Sequence, residues 1–339
     1  HLCVAPGGRH VLAANYGGGS VVMVERKSDG SLGARTAFVQ LPPPGLKFPT
    51  ADGDFELLIR FPRCNVRRQE KAHAHMVKFV GGVSADGTRS VLVPDLGCDV
   101  VWALTYHPES GKLVPAAPTA LCPAFNGGGP RHMALHPNSQ VHVAYVAYEL
   151  TSQIAAFTYD PASGRLVGEP LPPGPVCSLD VSTESAPTAL HATFAGAADI
   201  SRYQKHVVGE PQTCSDHTTS LAAIRVTADG RWLCVSNRIV GEDGAVSVLA
   251  LEPNGRIVSP RHQTIGVAST RGVTPRDFAL VLQSESKRST TVVLAANQDS
   301  DTIWALPLSD SEAEPHLVVN VPTPVCLAFT PENDIEACS

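Results

Sequence analysis

Histidine, arginine and glutamate side chains with catalytic potential recur at comparable points of this sequence. They stand in the motifs AHAH, GPRH, YEL, SNR and TPRDF: His73, His75, Arg131, Glu149, Arg238 and Arg276. Histidine or glutamate can take a proton from water as a general base. Arginine binds phosphate or carboxylate through two parallel hydrogen bonds and can stabilise an oxyanion. This combination of side chains suits an anionic substrate.

The elements that must position these residues follow an internal repeat. A strand, a tight turn, a second strand and a polar break occur five times, with the breaks at Asn15, Asp95, Glu149, Asn237 and Asn297. In the first four units a glycine turn follows the break after 15 to 18 residues, at Gly30, Gly111, Gly164 and Gly255. Each unit is therefore predicted to contain four short strands, which we label A to D.

Four strands in a unit of roughly 50 residues are typical of a propeller blade. Segments such as VLVPD, WLCVSN and TVVLAAN are rich in the β-branched residues that strands prefer. We therefore predict an all-β fold, a β-propeller of four-stranded blades, in one domain over residues 1–339.

Blade topology predicts where a site would lie. The turn between strands A and B is on one face, so the start of strand A and the end of strand B meet on the other face. The motifs AHAH, GPRH and TPRDF precede or open strand A, whereas Glu149 and Arg238 stand at the end of strand B. All six candidate residues are therefore expected on the same face, near the central channel.

Composition excludes several classes of protein. A hydrophobic fraction of 43% argues against general disorder, and no apolar run is long enough to span a membrane as a helix. The net charge is −6 without a basic stripe, so we expect no nucleic-acid partner and no membrane partner. The nine cysteines form no CxxC pair, so a zinc site or a disulfide framework is poorly supported.

Motifs along almost the whole chain resemble one known family. They are ANYGGGSV, AHAHMVKF, VPDLGCD, GPRHMALHP, YELTS, ADGRWLCVSNR, TPRDFAL and AANQDSD. Together they resemble the lactonase β-propellers, which include bacterial-type 6-phosphogluconolactonases and fungal carboxy-cis,cis-muconate cyclases. The resemblance implies a seven-bladed fold and hydrolysis of a sugar lactone. The leading substrate is 6-phosphoglucono-δ-lactone, of the pentose phosphate pathway.

The resemblance also implies roles for the candidate residues. His75, Arg131, Arg238 and Glu149 match the family's proposed active-site histidine, arginines and glutamate. Either His75 or Glu149 would activate water, and the two arginines would hold the phosphate or the oxyanion, in an order that stays open. We expect His73 and Arg276 to bind substrate. Since lactone hydrolysis needs only activated water and a stabilised oxyanion, we expect no metal and no cofactor. We also expect a cytoplasmic enzyme.

Two other functions fit the same sequence. A muconate-type cyclase or isomerase would use the arginine pair on carboxylates. A propeller without catalytic activity would serve as an interaction scaffold, because a fold does not determine a function. The sequence does not give the oligomeric state.

Several features depart from the regular repeat. We expect insertions near residues 41–70 and 170–216, and a strand B before Glu149 that is about two residues longer than usual. The final segment PTPVCLAFTP resembles a strand A without its partners. The chain is therefore expected to contain about five blades plus a closing strand, as an N-terminally truncated member would. Asn15, Asp95 and Asn297 are expected to form turns, and His132 to be structural.

Overall fold

A computed structural model of the chain describes residues 1–43, 47–50, 53–56, 65, 67–121, 127–178, 219–258, 266–285, 288–308 and 314–329. In these residues the regular structure is almost entirely β, with a single short 3-10 helix at Gln298–Ser300. No helix in this part of the chain is long and apolar enough to cross a membrane.

The chain divides into two compact units. The first comprises His1–Met133, Tyr148–Thr151 and Phe157–Glu169. The second comprises Ala134–Ala147, Ser152–Ala156 and Pro170–Ser339. The prediction of one domain over the whole chain stays a prediction.

Two four-stranded antiparallel sheets belong to the first unit, and each strand pairs with its neighbour in sequence. The first sheet contains β1 (Leu2–Val4), β2 (His10–Asn15), β3 (Ser20–Arg26) and β4 (Leu32–Gln40). A separate hairpin follows, formed by β5 (Lys47–Thr50) and β6 (Gly53–Glu56). The second sheet contains β7 (Lys78–Val80), β8 (Arg89–Asp95), β9 (Val100–His107) and β10 (Lys112–Leu121).

Three further sheets repeat this order. The third contains β11 (Pro130–Leu135), β12 (Val143–Tyr148), β13 (Gln153–Tyr159) and β14 (Leu166–Val167), with β15 (Val176–Cys177) also paired to β13. The fourth contains β16 (Thr219–Val226), β17 (Trp232–Ile239), β18 (Ala245–Ala250) and β19 (Gly266–Ser269). The fifth contains β20 (Pro275–Glu285), β21 (Arg288–Asn297), β22 (Thr302–Pro307) and β23 (His316–Asn320). The predicted four-stranded units are thus confirmed.

Polar side chains form the turns that the repeat predicted. In the A–B turn of the second sheet, Asp86 accepts the Thr88 amide proton, and Gly87 adopts a φ of 81° that a side chain would disfavour. At the break after β8, the fully buried Asp95 accepts backbone amides of His73, Gly97 and Cys98. The turn-forming role of Asp95 is therefore confirmed.

Each unit has its own apolar core. In the first unit, Leu12, Met23, Val93 and Trp102 belong to one buried cluster. In the second unit, Tyr145, Ile154, Leu233 and Val235 belong to one cluster, and Phe278 and Val293 to another. Both units therefore have buried aliphatic and aromatic side chains that hold their sheets in place.

One prediction about strand length is wrong. The strand before Glu149, β12, has six residues, the same number as β2. The extra residues lie in the preceding loop instead, where Asn138 O accepts the Val141 amide proton and Asn138 Oδ1 accepts that of Gln140. Local turn hydrogen bonds therefore hold these residues in a loop, although their alternating apolar and polar side chains had suggested a strand.

Two further predictions are not confirmed. The described residues of the expected closing strand, 322–329, form no strand, so the closing strand and the number of blades stay predictions. Of the two insertions, residues 44–46, 51–52, 57–64, 66 and 179–216 lie outside the described part of the chain.

Candidate active site

Glu149 is the centre of a charged cluster in the first unit. It directly follows β12, and its amide donates to Gly129 O at 2.8 Å. Its side chain is only 2% exposed. Carboxylate oxygen Oε1 accepts a 2.5 Å hydrogen bond from Arg68 Nη2, while Oε2 lies 2.8 Å from Arg131 Nε. Each carboxylate oxygen thus has a guanidinium group as its partner.

His75 lies beside this carboxylate. Its amide donates to Pro94 O near the end of β8, and the neighbouring Ala74 bridges to Asp95. Its Nε2 is 3.9 Å from Glu149 Oε2, and its buried Nδ1 has no hydrogen-bond partner among the described residues. Burial, reinforced by the charge of Arg131, lowers the pKa of His75 well below its usual 6.5, although Glu149 opposes the shift. The imidazole is therefore neutral at pH 7.

Tyr16 and His73 form the wall next to His75. The Tyr16 ring stacks on His73, with centroids 4.3 Å apart, and meets His75 edge-on at 5.3 Å. His73 Nδ1 is 2.9 Å from Tyr16 O, and its Nε2 is 3.1 Å from Glu70 Oε1. Both ring nitrogens of His73 are therefore engaged within the protein, and its expected role in substrate binding stays a prediction.

Glycines let the segment that carries Arg68 and His75 approach its neighbours closely. A Cβ on Gly97 would overlap the carbonyl oxygen of Lys71 and lie 2.9 Å from His73 Cδ2. The Gly97 amide also donates to the Asp95 carboxylate that accepts the His73 amide. The position of His75 thus depends on contact between this segment and the turn after β8.

Asp99 holds the segment that leads into Arg131. Its carboxylate accepts the amides of Gly127 at 2.9 Å and Gly129 at 2.7 Å, while Gly129 O accepts the Glu149 amide. Burial raises the pKa of Asp99 to about 6, although these hydrogen bonds oppose the shift. Asp99 therefore connects the turn after β8 to both Arg131 and Glu149.

The structure brings together four of the six residues proposed from the sequence, namely His73, His75, Arg131 and Glu149. Arg238 and Arg276 belong to the second unit. There Arg238 Nη2 donates to Leu221 O at 2.7 Å, and Arg276 Nη1 donates to Gln298 Oε1 at 3.1 Å. A role for these two arginines in substrate binding stays a prediction.

Sequence reasoning missed two members of the cluster, Arg68 and Tyr16. Arg68 falls at the end of the expected insertion 41–70, where no repeat pattern assigns it a position. Tyr16 directly follows Asn15, the break of the first unit, and Glu149 is the break of the third unit. Tyr16 is therefore next to the position that corresponds to Glu149. This correspondence was a usable signal for Tyr16, whereas Arg68 had none. His132, which was expected to be structural, has its ring 5.1 Å from that of His75.

The charged side chains of the cluster are arranged around Glu149. Two guanidinium groups, of Arg68 and Arg131, contact one carboxylate, and His75 is neutral. In the described part of the chain, no group of three His, Cys, Asp or Glu side chains is placed to hold a metal ion. The arrangement offers a neutral imidazole, fixed cations and a buried setting in which electrostatic interactions are strong.

Comparison with known proteins identifies a family that matches almost the whole chain. The family described as "Lactonase, 7-bladed beta-propeller" matches residues 1–329. A 6-phosphogluconolactonase from Bacillus subtilis (strain 168) is 27% identical over 335 residues, which cover 97% of this chain and 72% of the relative.

Solved structures show the same fold. A protein from Lactobacillus plantarum is 26% identical with a TM-score of 0.59, covering 96% of this chain and 72% of that one. The periplasmic gluconolactonase of Pseudomonas aeruginosa is 24% identical with a TM-score of 0.61, covering 96% and 71%. These matches and the repeated four-stranded sheets confirm the predicted all-β propeller fold. The chain therefore belongs to the lactonase family of seven-bladed β-propellers.

Proposed function

We propose that the protein hydrolyses a sugar lactone and that its substrate is 6-phosphoglucono-δ-lactone, which yields 6-phosphogluconate. The observation that carries this proposal is the cluster of His75, Arg68, Arg131 and Glu149, in which two guanidinium groups share one carboxylate. Arginine binds anionic groups through paired, charge-assisted hydrogen bonds, so this cluster suits an anionic substrate. The curated relative named 6-phosphogluconolactonase supports the choice of substrate.

In this proposal His75 is the general base. Glu149 is a poor base, because both of its oxygens are engaged by arginines, which stabilise the ionised carboxylate. His75 is neutral, and its Nδ1 has no hydrogen-bond partner in the described structure. A neutral imidazole keeps one nitrogen lone pair that can accept a proton from water.

Hydrolysis then proceeds through a tetrahedral intermediate. Water adds to the lactone carbonyl carbon as His75 takes its proton, and the charge of Arg131 stabilises the oxyanion. The ring C–O bond breaks when the intermediate collapses. The departing ring oxygen takes the proton back from His75, which gives the hydroxy acid and restores the neutral imidazole. Glu149 acts as the residue that orients Arg131 and His75.

Lactone hydrolysis by the whole chain tests the proposal. Wild type and His75→Ala would be compared on 6-phosphoglucono-δ-lactone and on glucono-δ-lactone, with spontaneous hydrolysis subtracted. We expect turnover of the phosphorylated lactone, and a loss of about 100-fold or more in kcat for the variant, as is usual when a general base is removed. His107→Ala, a substitution at the end of β9 away from this cluster, serves as the matched control.

The opposite results have distinct meanings. Equal turnover by wild type and His75→Ala would remove His75 from the mechanism. If a folded wild-type chain hydrolysed neither lactone, the lactonase proposal would fail. A cyclase on a carboxylated substrate or a non-catalytic scaffold would then be the better explanation.

A further inference from the structure

Arg68 differs from the other charged members of the cluster in its exposure. Its side chain is 40% exposed, whereas those of Arg131 and Glu149 are each 2% exposed. It lies in the short turn before Ala72, at the end of the insertion rather than on a strand of a sheet. Arg68 is therefore the guanidinium of this cluster that a ligand in solution can reach.

The side chain of Arg68 is fixed from one side only. Nε donates to the Tyr16 hydroxyl at 3.2 Å, and Nη2 donates to Glu149 Oε1 at 2.5 Å. The guanidinium carbon also lies 6.0 Å from the centre of the Tyr16 ring. A guanidinium has five N–H donors, so three are left after these two bonds. The orientation is set in advance while donors remain for a ligand, which lowers the entropic cost of binding.

Arg68 shares its carboxylate partner with a second arginine, because Arg131 contacts the other oxygen of Glu149. Arg131 is on the buried side of the carboxylate and lowers the pKa of His75, so it is close to the proposed reaction centre. Arg68 is on the exposed side of the same carboxylate. A substrate with its carbonyl near His75 would place a remote anionic group toward Arg68.

We infer that Arg68 is a specificity-determining residue that binds the anionic group of the substrate, the phosphate in the case of 6-phosphoglucono-δ-lactone. The inference rests on the proposed function and adds to it a residue from outside the strands of the propeller. It assigns Arg131 to the reacting carbonyl and Arg68 to the remote anion. The turn before Ala72 thereby sets the preference for a phosphorylated over an unphosphorylated lactone.

The test compares Arg68→Gln with wild type on 6-phosphoglucono-δ-lactone and glucono-δ-lactone. Glutamine can still donate a hydrogen bond to Glu149 but carries no charge. We expect KM for the phosphorylated lactone to rise about 10- to 100-fold, the usual effect of losing hydrogen bonds to a charged group. The change in kcat, and in kcat/KM for the unphosphorylated lactone, is expected to stay within about 3-fold.

Inorganic phosphate gives a second readout that does not need turnover. We expect it to bind wild type and to inhibit competitively, and to bind Arg68→Gln at least about 10-fold more weakly. Arg67→Gln is the matched control, because the neighbouring Arg67 is exposed and loses the same charge. It is expected to behave as wild type in both assays.

Three results would overturn the inference. An equal loss of kcat/KM on both lactones means that Arg68 only positions Glu149. No change on either lactone, or equal phosphate binding by wild type and Arg68→Gln, means that the anion binds elsewhere. If Arg68→Gln does not fold, Arg68→Lys keeps the charge and removes the planar fork, and it must still raise KM for the phosphorylated lactone alone.

The inference can fail separately from the proposed function. A wild type that turns over neither lactone contradicts the lactonase proposal, while phosphate binding by wild type and the two variants still decides whether Arg68 is an anion-binding residue. A wild type that turns over both lactones with equal efficiency supports hydrolysis and contradicts the role of Arg68.

Discussion

Burial and two charged neighbours are the largest influences on the protonation state of His75. Burial and the charge of Arg131 lower its pKa, and the charge of Glu149 raises it. Because a base must be neutral to accept a proton, activity depends on the fraction of imidazole that is unprotonated. The same two neighbours that orient the histidine therefore also determine the pH range in which it can work.

This balance predicts opposite pH shifts for two substitutions. For wild type, kcat/KM is expected to be constant near pH 7 and to fall only at acidic pH, as His75 becomes protonated below its lowered pKa. Arg131→Gln removes a charge that lowers the pKa, so the acidic limb should move to higher pH. Glu149→Gln removes a charge that raises the pKa, so the limb should move to lower pH. Rate profiles between about pH 4 and 8 would measure both shifts.

Only the residual activity of these variants needs to be measurable, since the prediction concerns the midpoint of the limb and not its height. Glu109→Gln is a suitable control, because that carboxylate is 87% exposed and pairs with Arg9 on the surface. Shifts in the same direction for both variants, or none, would show that His75 is not the titrating group.

At the scale of strands and turns, much of the site was predictable. The repeat located the end of strand B and the start of strand A, and the structure pairs His75 with Pro94 and Glu149 with Gly129 at those two points. These contacts follow from strand pairing, which a regular sequence pattern reports. Arg68 was not predictable, because its position depends on the packing of a non-repeating segment against distant turns. The length of β12 was overestimated because local turn hydrogen bonds at Asn138 form a loop where alternating apolar and polar side chains had suggested a strand.

The contact at Gly97 is the element-scale feature that is easiest to test. Gly97→Ala would force a Cβ onto the Lys71 carbonyl and toward His73, so the segment before His75 must move. We expect a loss of at least about 10-fold in kcat, since small displacements of a catalytic group are costly, together with a lower melting temperature. Steady-state kinetics and thermal denaturation would measure the two effects.

Gly17→Ala is the matched control for this substitution. A Cβ on Gly17 meets no atom within 4 Å, and its φ is not in the positive range. It should therefore leave kcat and melting temperature close to those of wild type. Equal behaviour of the two alanine variants would mean that the turn at Gly97 does not position the segment.

At the scale of the whole molecule, each of the two compact units contains its own buried apolar clusters. The described cluster of Glu149, Arg68, Arg131 and His75 lies entirely in the first unit, which has a core of its own. The second unit has separate apolar clusters. Leu12 of the first unit belongs to the same apolar cluster as Ala72 and Ala74, which adjoin His75, so a loss of packing there acts directly on the segment that carries His75.

A pair of core substitutions tests this division. Leu12 in β2 and Leu233 in β17 are both completely buried, one in each unit. Leu→Ala at either site should cost about 2–5 kcal/mol of unfolding free energy, because each leaves a cavity in a packed core. Hydrogen exchange is expected to accelerate in β2, β3 and β8 for Leu12→Ala, and in β16, β17 and β18 for Leu233→Ala. Only Leu12→Ala should also accelerate exchange in residues 72–75 and raise the temperature sensitivity of catalysis. Uniform acceleration through both units by either variant would instead show that the chain opens as one cooperative body, in which the charged cluster depends equally on every sheet.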